Sequence, residues 1–167
     1  MFTEHTLESA PPASRRAMES TIKHLGHLPP AVARLASSPQ LLDGFLKLSA
    51  MFEQATLDPL AREVVIMVVA TRNECHVCVE MHTGKLRALG ADEELIAALR
   101  ERRPLGDERL EAVRQFTLEA LRTAGGVGDE ELKAFFAHGY TEQNALEVVM
   151  GIGTYTMSTL ANRLTRA

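Results

Sequence analysis

The chain has 167 residues, of which 46% are hydrophobic and 24% are charged, a composition typical of one soluble globular domain. Its formal net charge is -4 and it contains no block of basic residues, so nucleic acid is not an expected partner. The longest aliphatic run, residues 64–70, is far too short to cross a bilayer, and residues 1–5 lack the pattern of a secretory signal. We therefore expect a single domain over residues 1–167 in a reducing cytoplasm, without a membrane partner.

Prolines and capping side chains predict helices along the first part of the chain. Pro11-Pro12 and Pro29-Pro30 open two short N-terminal helices, because proline is favoured in the first helical turn. Ser38-Pro39 and Asp58-Pro59 add an N-cap side chain to the same signal, so each predicts a further helix start. The second of these two helices should extend over residues 59–73.

Within that segment, the run Glu63-Val64-Val65-Ile66-Met67-Val68-Val69 is rich in β-branched residues, and propensity alone predicts a strand. A strand leading into a Cys-x-x-Cys helix would be a thioredoxin-like unit. However, no alternating strand pattern occurs elsewhere, and the chain has no Trp for the usual Trp-Cys start. An apolar run this uniform fits a central helix buried on nearly all sides, and we predict a helix.

The only two cysteines form a Cys-x-x-Cys motif at the start of the next predicted helix, which should end at Gly90. Cys75 and Cys78 can close a disulfide with little backbone motion, and His82 lies about one turn beyond Cys78 on the same face. The helix dipole stabilises a thiolate at the N-terminus, which favours Cys75 as the reactive sulfur. The spacing predicts dithiol redox chemistry, with His76 as an auxiliary group.

Helix signals continue to the end of the sequence. Asp92 and Asp129 each begin an Asp-Glu-Glu-Leu helix start, with acids at the positive end of the dipole. Residues 110–121 form one apolar face, and a last long helix extends from near Thr141 to near Leu164. The sequence therefore predicts an all-α bundle of about seven to nine helices, with the cysteines at the start of a central one.

Glu63 is a carboxylate inside an otherwise apolar run. If its helix packs antiparallel to the cysteine helix, Glu63 lies level with His82. A buried carboxylate is costly without a partner or a role, so we predict that Glu63 belongs to the site; a solvated helix-start acid is the alternative. Cys75, Cys78, His82 and Glu63 are also four potential zinc ligands.

One spacing pattern resembles the signature of the alkylhydroperoxidase D-like branch of the carboxymuconolactone decarboxylase family. It consists of Glu63, eleven residues, Cys75-x-x-Cys78, three residues and His82. The resemblance covers about residues 40–165, which leaves residues 1–38 as an N-terminal helical extension. It implies an all-α, alkylhydroperoxidase D-like fold and an enzyme that reduces peroxides with its dithiol. It also implies a homo-oligomer, a trimer or a hexamer.

The resemblance further implies a role for each residue. Cys78 is the peroxide-attacking thiolate, Cys75 is the more exposed resolving cysteine, and Glu63 and His82 form the proton relay. We favour this assignment over the dipole argument, since a specific base usually outweighs a partial helix charge. The family relay has a histidine just before the second cysteine, where this chain has Val77.

The predicted function is a thiol-dependent, peroxiredoxin-type peroxidase or a disulfide oxidoreductase. Its expected partners are a small hydroperoxide, a dithiol electron donor and further copies of the chain. The copies are expected because residues 64–70 and 148–157 are more apolar than one small domain readily hides. The redox-active disulfide takes the place of a cofactor, and no nucleotide motif is present. The alternatives are a lactone decarboxylase-like enzyme on the same fold and a non-catalytic helical oligomer with a Cys-x-x-Cys/His zinc site.

Overall fold

The computed structural model of the protein describes residues 2–167, which form nine α-helices without a strand. In chain order these are α1 (Pro12–Leu25), α2 (Pro30–Leu35), α3 (Pro39–Glu53), α4 (Pro59–Arg72), α5 (His76–Ala88), α6 (Glu93–Arg100), α7 (Glu108–Thr123), α8 (Asp129–Ala137) and α9 (Glu142–Thr165). The all-α prediction is confirmed.

Local side-chain chemistry sets several of these boundaries. Ser38 and Asp58 each accept a hydrogen bond from the backbone N–H three residues further on, at the starts of α3 and α4. Asp92 and Thr141 cap α6 and α9 in the same way. Each cap satisfies an N–H group that the first helical turn leaves without a partner. Gly90 takes a left-handed conformation with φ 81° just after α5, as its predicted role at the helix end requires.

Helix α4 lies at the centre of the fold. Every side chain from Glu63 to Thr71 is buried, because α5, α7 and α9 all pack against this helix. Residues 64–69 are helical in spite of their strand propensity, since burial on all sides by other helices outweighs that preference. The prediction of a buried central helix is confirmed.

The exposed apolar surface of the chain differs in part from the one that the sequence predicted. Residues 64–70 are fully hidden within one chain, so their hydrophobicity does not call for a partner, and that part of the oligomer argument was wrong. Helix α9 instead exposes a stripe of aliphatic side chains at helical spacing. These are Leu146, Val149, Leu160 and Leu164, exposed by 71%, 51%, 54% and 68%.

Helices α3, α4 and α9 meet closely near Gly151. A Cβ atom at this position would lie 2.6 Å from Cζ of Phe52 and 3.0 Å from Cγ1 of Val65. The absence of a side chain therefore lets α9 approach the other two helices. Nowhere in residues 2–167 is a helix both long enough and apolar enough to span a membrane.

Candidate redox site

The two cysteines lie at the N-terminus of α5, directly after the tight turn that follows α4. In this turn Glu74 has a left-handed backbone with φ 53°, and the N–H of Cys75 donates to the carbonyl of Ala70 over 3.0 Å. Cys75 is the N-cap of α5, and Cys78 is its third residue. Side chains at these two positions face each other, as they do in a capping box. The turn therefore aims both sulfurs at one point.

Cys75 and Cys78 are joined by a disulfide, with their Cα atoms 5.3 Å apart. Both residues are 2% exposed, so the expectation that Cys75 is the more exposed one is not met. The reason is that both pack against Ala70 at the end of α4. A surface pocket of about 220 Å³ nevertheless has Cys75, and not Cys78, in its lining, together with Asn162 and Arg163. The pocket therefore lies on the Cys75 side of the disulfide.

Glu63 and His82 form a buried hydrogen-bonded pair. Oε2 of Glu63 lies 2.7 Å from Nδ1 of His82, with both side chains almost fully enclosed. In the tautomer that donates from Nδ1 to this carboxylate, the other ring nitrogen, Nε2, is a hydrogen-bond acceptor. The antiparallel packing of α4 and α5 places Glu63 level with His82, and this predicted contact is confirmed.

Tyr155 of α9 packs against the His82 ring and restricts its orientation. Its ring meets the His82 ring edge to face at a centroid distance of 5.4 Å, and its hydroxyl lies 3.2 Å from Oγ of Ser49. Burial raises the pKa of Tyr155, so the phenol stays neutral. An aromatic ring packed in this way leaves the imidazole little freedom to rotate.

Asn162 contacts the sulfur that the sequence predicted to be reactive. Its Nδ2 donates to Sγ of Cys78 over 3.4 Å, and the residue is 6% exposed. Its Oδ1 is the one buried side-chain nitrogen or oxygen in residues 2–167 without a hydrogen-bond partner. The sequence contained no periodic signal for this contact, because 84 residues separate Asn162 from Cys78.

The predicted site thus consists of two parts. Among the described residues, no hydrogen bond joins His82 to either sulfur. Cys78 and His82 lie on successive turns of α5, and Glu63 reaches His82 from α4. His76 is exposed and lines the same pocket as Cys75, while Glu80, one turn further along α5, pairs with Arg100. Over residues 2–167, no group of three or more His, Cys, Asp or Glu side chains has the arrangement of a metal site.

Residues 39–119 match the sequence model of the carboxymuconolactone decarboxylase family. The family resemblance is confirmed. The matched segment begins at the first residue of α3 and includes Glu63, both cysteines and His82. No curated protein matches the chain in sequence.

Solved structures share the fold at low sequence identity. An uncharacterised peroxidase-related protein with an alkylhydroperoxidase AhpD core, from Ralstonia eutropha JMP134, is 18% identical with a TM-score of 0.84, over 98% of this chain and 88% of that chain. A peroxidase-related protein from Silicibacter sp. TM1040 is 20% identical with a TM-score of 0.77, over 93% and 84%. The debrominase Bmp8, in complex with 2,3,4-tribromopyrrole, is 16% identical with a TM-score of 0.77, over 100% and 90%. The chain therefore has the AhpD-like fold.

Proposed function

We propose that the protein is a thiol-dependent peroxidase, or a disulfide oxidoreductase, that works through Cys75 and Cys78. The observation that carries the proposal is a disulfide at a helix N-terminus, with His82 one turn further along the same helix, buried and hydrogen-bonded to Glu63 of α4. Peroxidase-related proteins of the same fold support this reading. A lactone decarboxylase-like reaction would leave the two sulfurs without a role.

The reductive half of the cycle begins at Cys75, since this cysteine, and not Cys78, belongs to the lining of the surface pocket. One thiolate of an external dithiol attacks Sγ of Cys75, forms a mixed disulfide and breaks the Cys75–Cys78 bond. Cys78 leaves as a thiolate, which the N–H of Asn162 stabilises. The second thiol of the donor then resolves the mixed disulfide, so the donor leaves oxidised and both cysteines are reduced.

In the oxidative half, the Cys78 thiolate attacks an oxygen of the hydroperoxide. An S–O bond forms, the O–O bond breaks, and the leaving alkoxide takes a proton and departs as an alcohol. We assign the proton transfer to His82, which lies one turn beyond Cys78 on α5 and is hydrogen-bonded to Glu63: it accepts the thiol proton and returns it to the alkoxide. Cys75 then attacks the sulfenic sulfur, water leaves, and the disulfide closes again. One hydroperoxide and one dithiol give one alcohol, one water and one disulfide.

Peroxide stoichiometry in the reduced protein tests the proposal. We expect consumption of about one equivalent of tert-butyl hydroperoxide per chain, with a Cys75–Cys78 disulfide seen by mass spectrometry and turnover only when a dithiol is added. Cys78→Ser should abolish the reaction. Cys75→Ser should permit a single oxidation of Cys78 without turnover, which makes it the matched control.

Other outcomes are equally informative. The opposite pattern in the two serine variants would reverse the roles of the sulfurs. Reduction of a disulfide substrate without reduction of peroxide would select the oxidoreductase over the peroxidase. If neither substitution changes either activity, the redox function is wrong.

The same proposal includes assembly into a homo-oligomer, a trimer or a hexamer. The aliphatic stripe on α9 supports it, since four exposed aliphatic side chains lie on one side of the helix, two towards each end. Light scattering should give the mass of several chains at micromolar concentration. Leu160→Asp should lower that mass, whereas a monomer in the unmodified protein would contradict the assembly.

A further inference from the structure

A second cavity, of about 420 Å³, lies at the C-terminal end of α4 and shares no lining residue with the pocket at Cys75. Four arginine side chains from α4, α7 and the turn after α6 line it, and no acidic side chain does. They are Arg72, Arg102, Arg114 and Arg122. The rest of the wall is mainly aliphatic, from Val68, Leu99 and Leu118.

Two of the four guanidinium groups already have acidic partners. Nε of Arg114 lies 2.7 Å from Oε2 of Glu111, and Nη2 of Arg122 lies 2.6 Å from Oε1 of Glu119. Each acidic partner is one turn away on α7. Arg72 and Arg102 have no carboxylate within 4.0 Å among residues 2–167. The cavity therefore carries an excess of positive charge in a chain whose net charge is -4.

The backbone at Arg102 supports a role for its side chain. Arg102 has φ 60°, in the left-handed region that favours glycine. A glycine could adopt this conformation after α6 without that strain. The chain instead has an arginine here, whose side chain makes contacts that a glycine could not make. Its guanidinium donates to the backbone carbonyl of Thr71, which fixes it over the end of α4.

We propose that this cavity binds a small organic carboxylate with an apolar body. A guanidinium binds a carboxylate through two parallel hydrogen bonds, and Arg72 and Arg102 are the groups whose charge is not already neutralised. Leu118, which is partly exposed, would contact the apolar part of the ligand, above Val68 and Leu99 in the same wall. A bare inorganic anion would leave Leu118 uncovered. The volume falls within the range of about 300–1,000 Å³ usual for small-molecule sites.

Titration with octanoate, followed by calorimetry and by the amide NMR signals of Val68, Thr71 and Leu99, tests this site without reference to the sulfurs. We expect saturable binding of one octanoate per chain, and binding of 1-octanol at least about tenfold weaker because it lacks the charge. Arg72→Gln should weaken octanoate binding by a similar factor. Arg16→Gln is the control, since Arg16 is exposed on α1 and lies outside this cavity.

Leu118→Ala should weaken octanoate binding while leaving the weaker binding of acetate unchanged, because only octanoate reaches the aliphatic wall. The proposal is overturned if octanoate does not saturate, if octanol binds equally well, or if Arg72→Gln and Arg16→Gln have the same effect. It is also overturned if Arg72→Gln changes the mass of the assembly while octanoate shifts no signal, because the cavity would then be an interface between copies of the chain.

Discussion

Replacing Asn162 with Ala should make the disulfide harder to reduce. The amide of Asn162 donates to Sγ of Cys78, and a thiolate accepts a hydrogen bond more strongly than a disulfide sulfur does. Asn162→Ala therefore removes more stabilisation from the reduced protein than from the oxidised one. The reduction potential of the Cys75–Cys78 couple should become more negative.

The size of the change follows from the buried position of the contact. A hydrogen bond to a charged group contributes about 1.5–3 kcal/mol. Because 30 mV corresponds to about 1.4 kcal/mol for a two-electron couple, the potential should fall by about 30–60 mV. The full change is expected near pH 9, where thiolates predominate.

Equilibration with dithiothreitol redox buffers at pH 9, followed by thiol alkylation and mass spectrometry, measures this potential. Asn73→Ala is a matched control, since its amide donates to Oγ1 of Thr159 over 2.9 Å rather than to a sulfur. The control should change stability without lowering the potential. An unchanged potential in Asn162→Ala, or the same fall in both variants, would refute the role of this hydrogen bond.

Three further changes test the proton relay, the packing and a buried carboxylate. Glu63→Gln should slow peroxide consumption by the reduced protein by about 10²–10⁴-fold, because the amide cannot hold the histidine proton as a carboxylate does. Gly151→Ala should lower the free energy of unfolding by about 1–3 kcal/mol, as measured in urea, since the new methyl group would overlap Phe52. Burial opposes ionisation of Glu147, but hydrogen bonds from the backbone and side chains outweigh it and lower its pKa. Its stabilising contribution is therefore complete above the ordinary glutamate pKa and is lost as the pH falls through the lowered value, so Glu147→Gln should destabilise the protein by about 1–3 kcal/mol at pH 7 and by less near pH 3.

Each of these changes has a matched comparison. Glu19→Gln, on the exposed side of α1, should leave peroxide consumption unchanged, and an equal loss would remove the case for a relay. Gly153→Ala adds the same methyl group to α9 where no atom lies within 4 Å, and should not destabilise the protein. A destabilisation by Glu147→Gln that is the same at pH 3 and pH 7 would mean that the charge of Glu147 is not involved.

Much of this fold is predictable from sequence because the determining interactions are local. Ser38 and Asp58 cap their helices through atoms three residues away, so the boundaries can be located without tertiary information. The Glu63–His82 contact was also within reach, since two consecutive antiparallel helices allow only a few pairings. In residues 63–69 local propensity was the weaker guide, and the uniform apolarity of the run identified it as a buried helix.

The rest of the site depends on which distant helices pack together. Tyr155 and Asn162 reach the site from α9, and no spacing rule connects them to residues near 80. The equal burial of the two cysteines has the same origin, because it reflects the end of α4 beneath them. The arginine cavity combines side chains from three parts of the chain, and only the tertiary structure brings Arg72 and Arg102 to the same place.

The burial of α4 has a consequence for mutational scanning. The surrounding helices leave no room for polar or larger side chains at residues 63–71. A saturation screen for activity should therefore show a continuous block of positions that do not tolerate substitution. Glu63 is the residue in that block with a proposed part in proton transfer. The other residues maintain the packing of α4, against whose end the two cysteines pack. A screen for soluble, folded protein, performed in parallel, would separate the two groups. Glu63→Gln, which keeps the size of the side chain, should remain abundant but lose activity, while polar or larger variants of Val64 or Val65 should be lost from both screens.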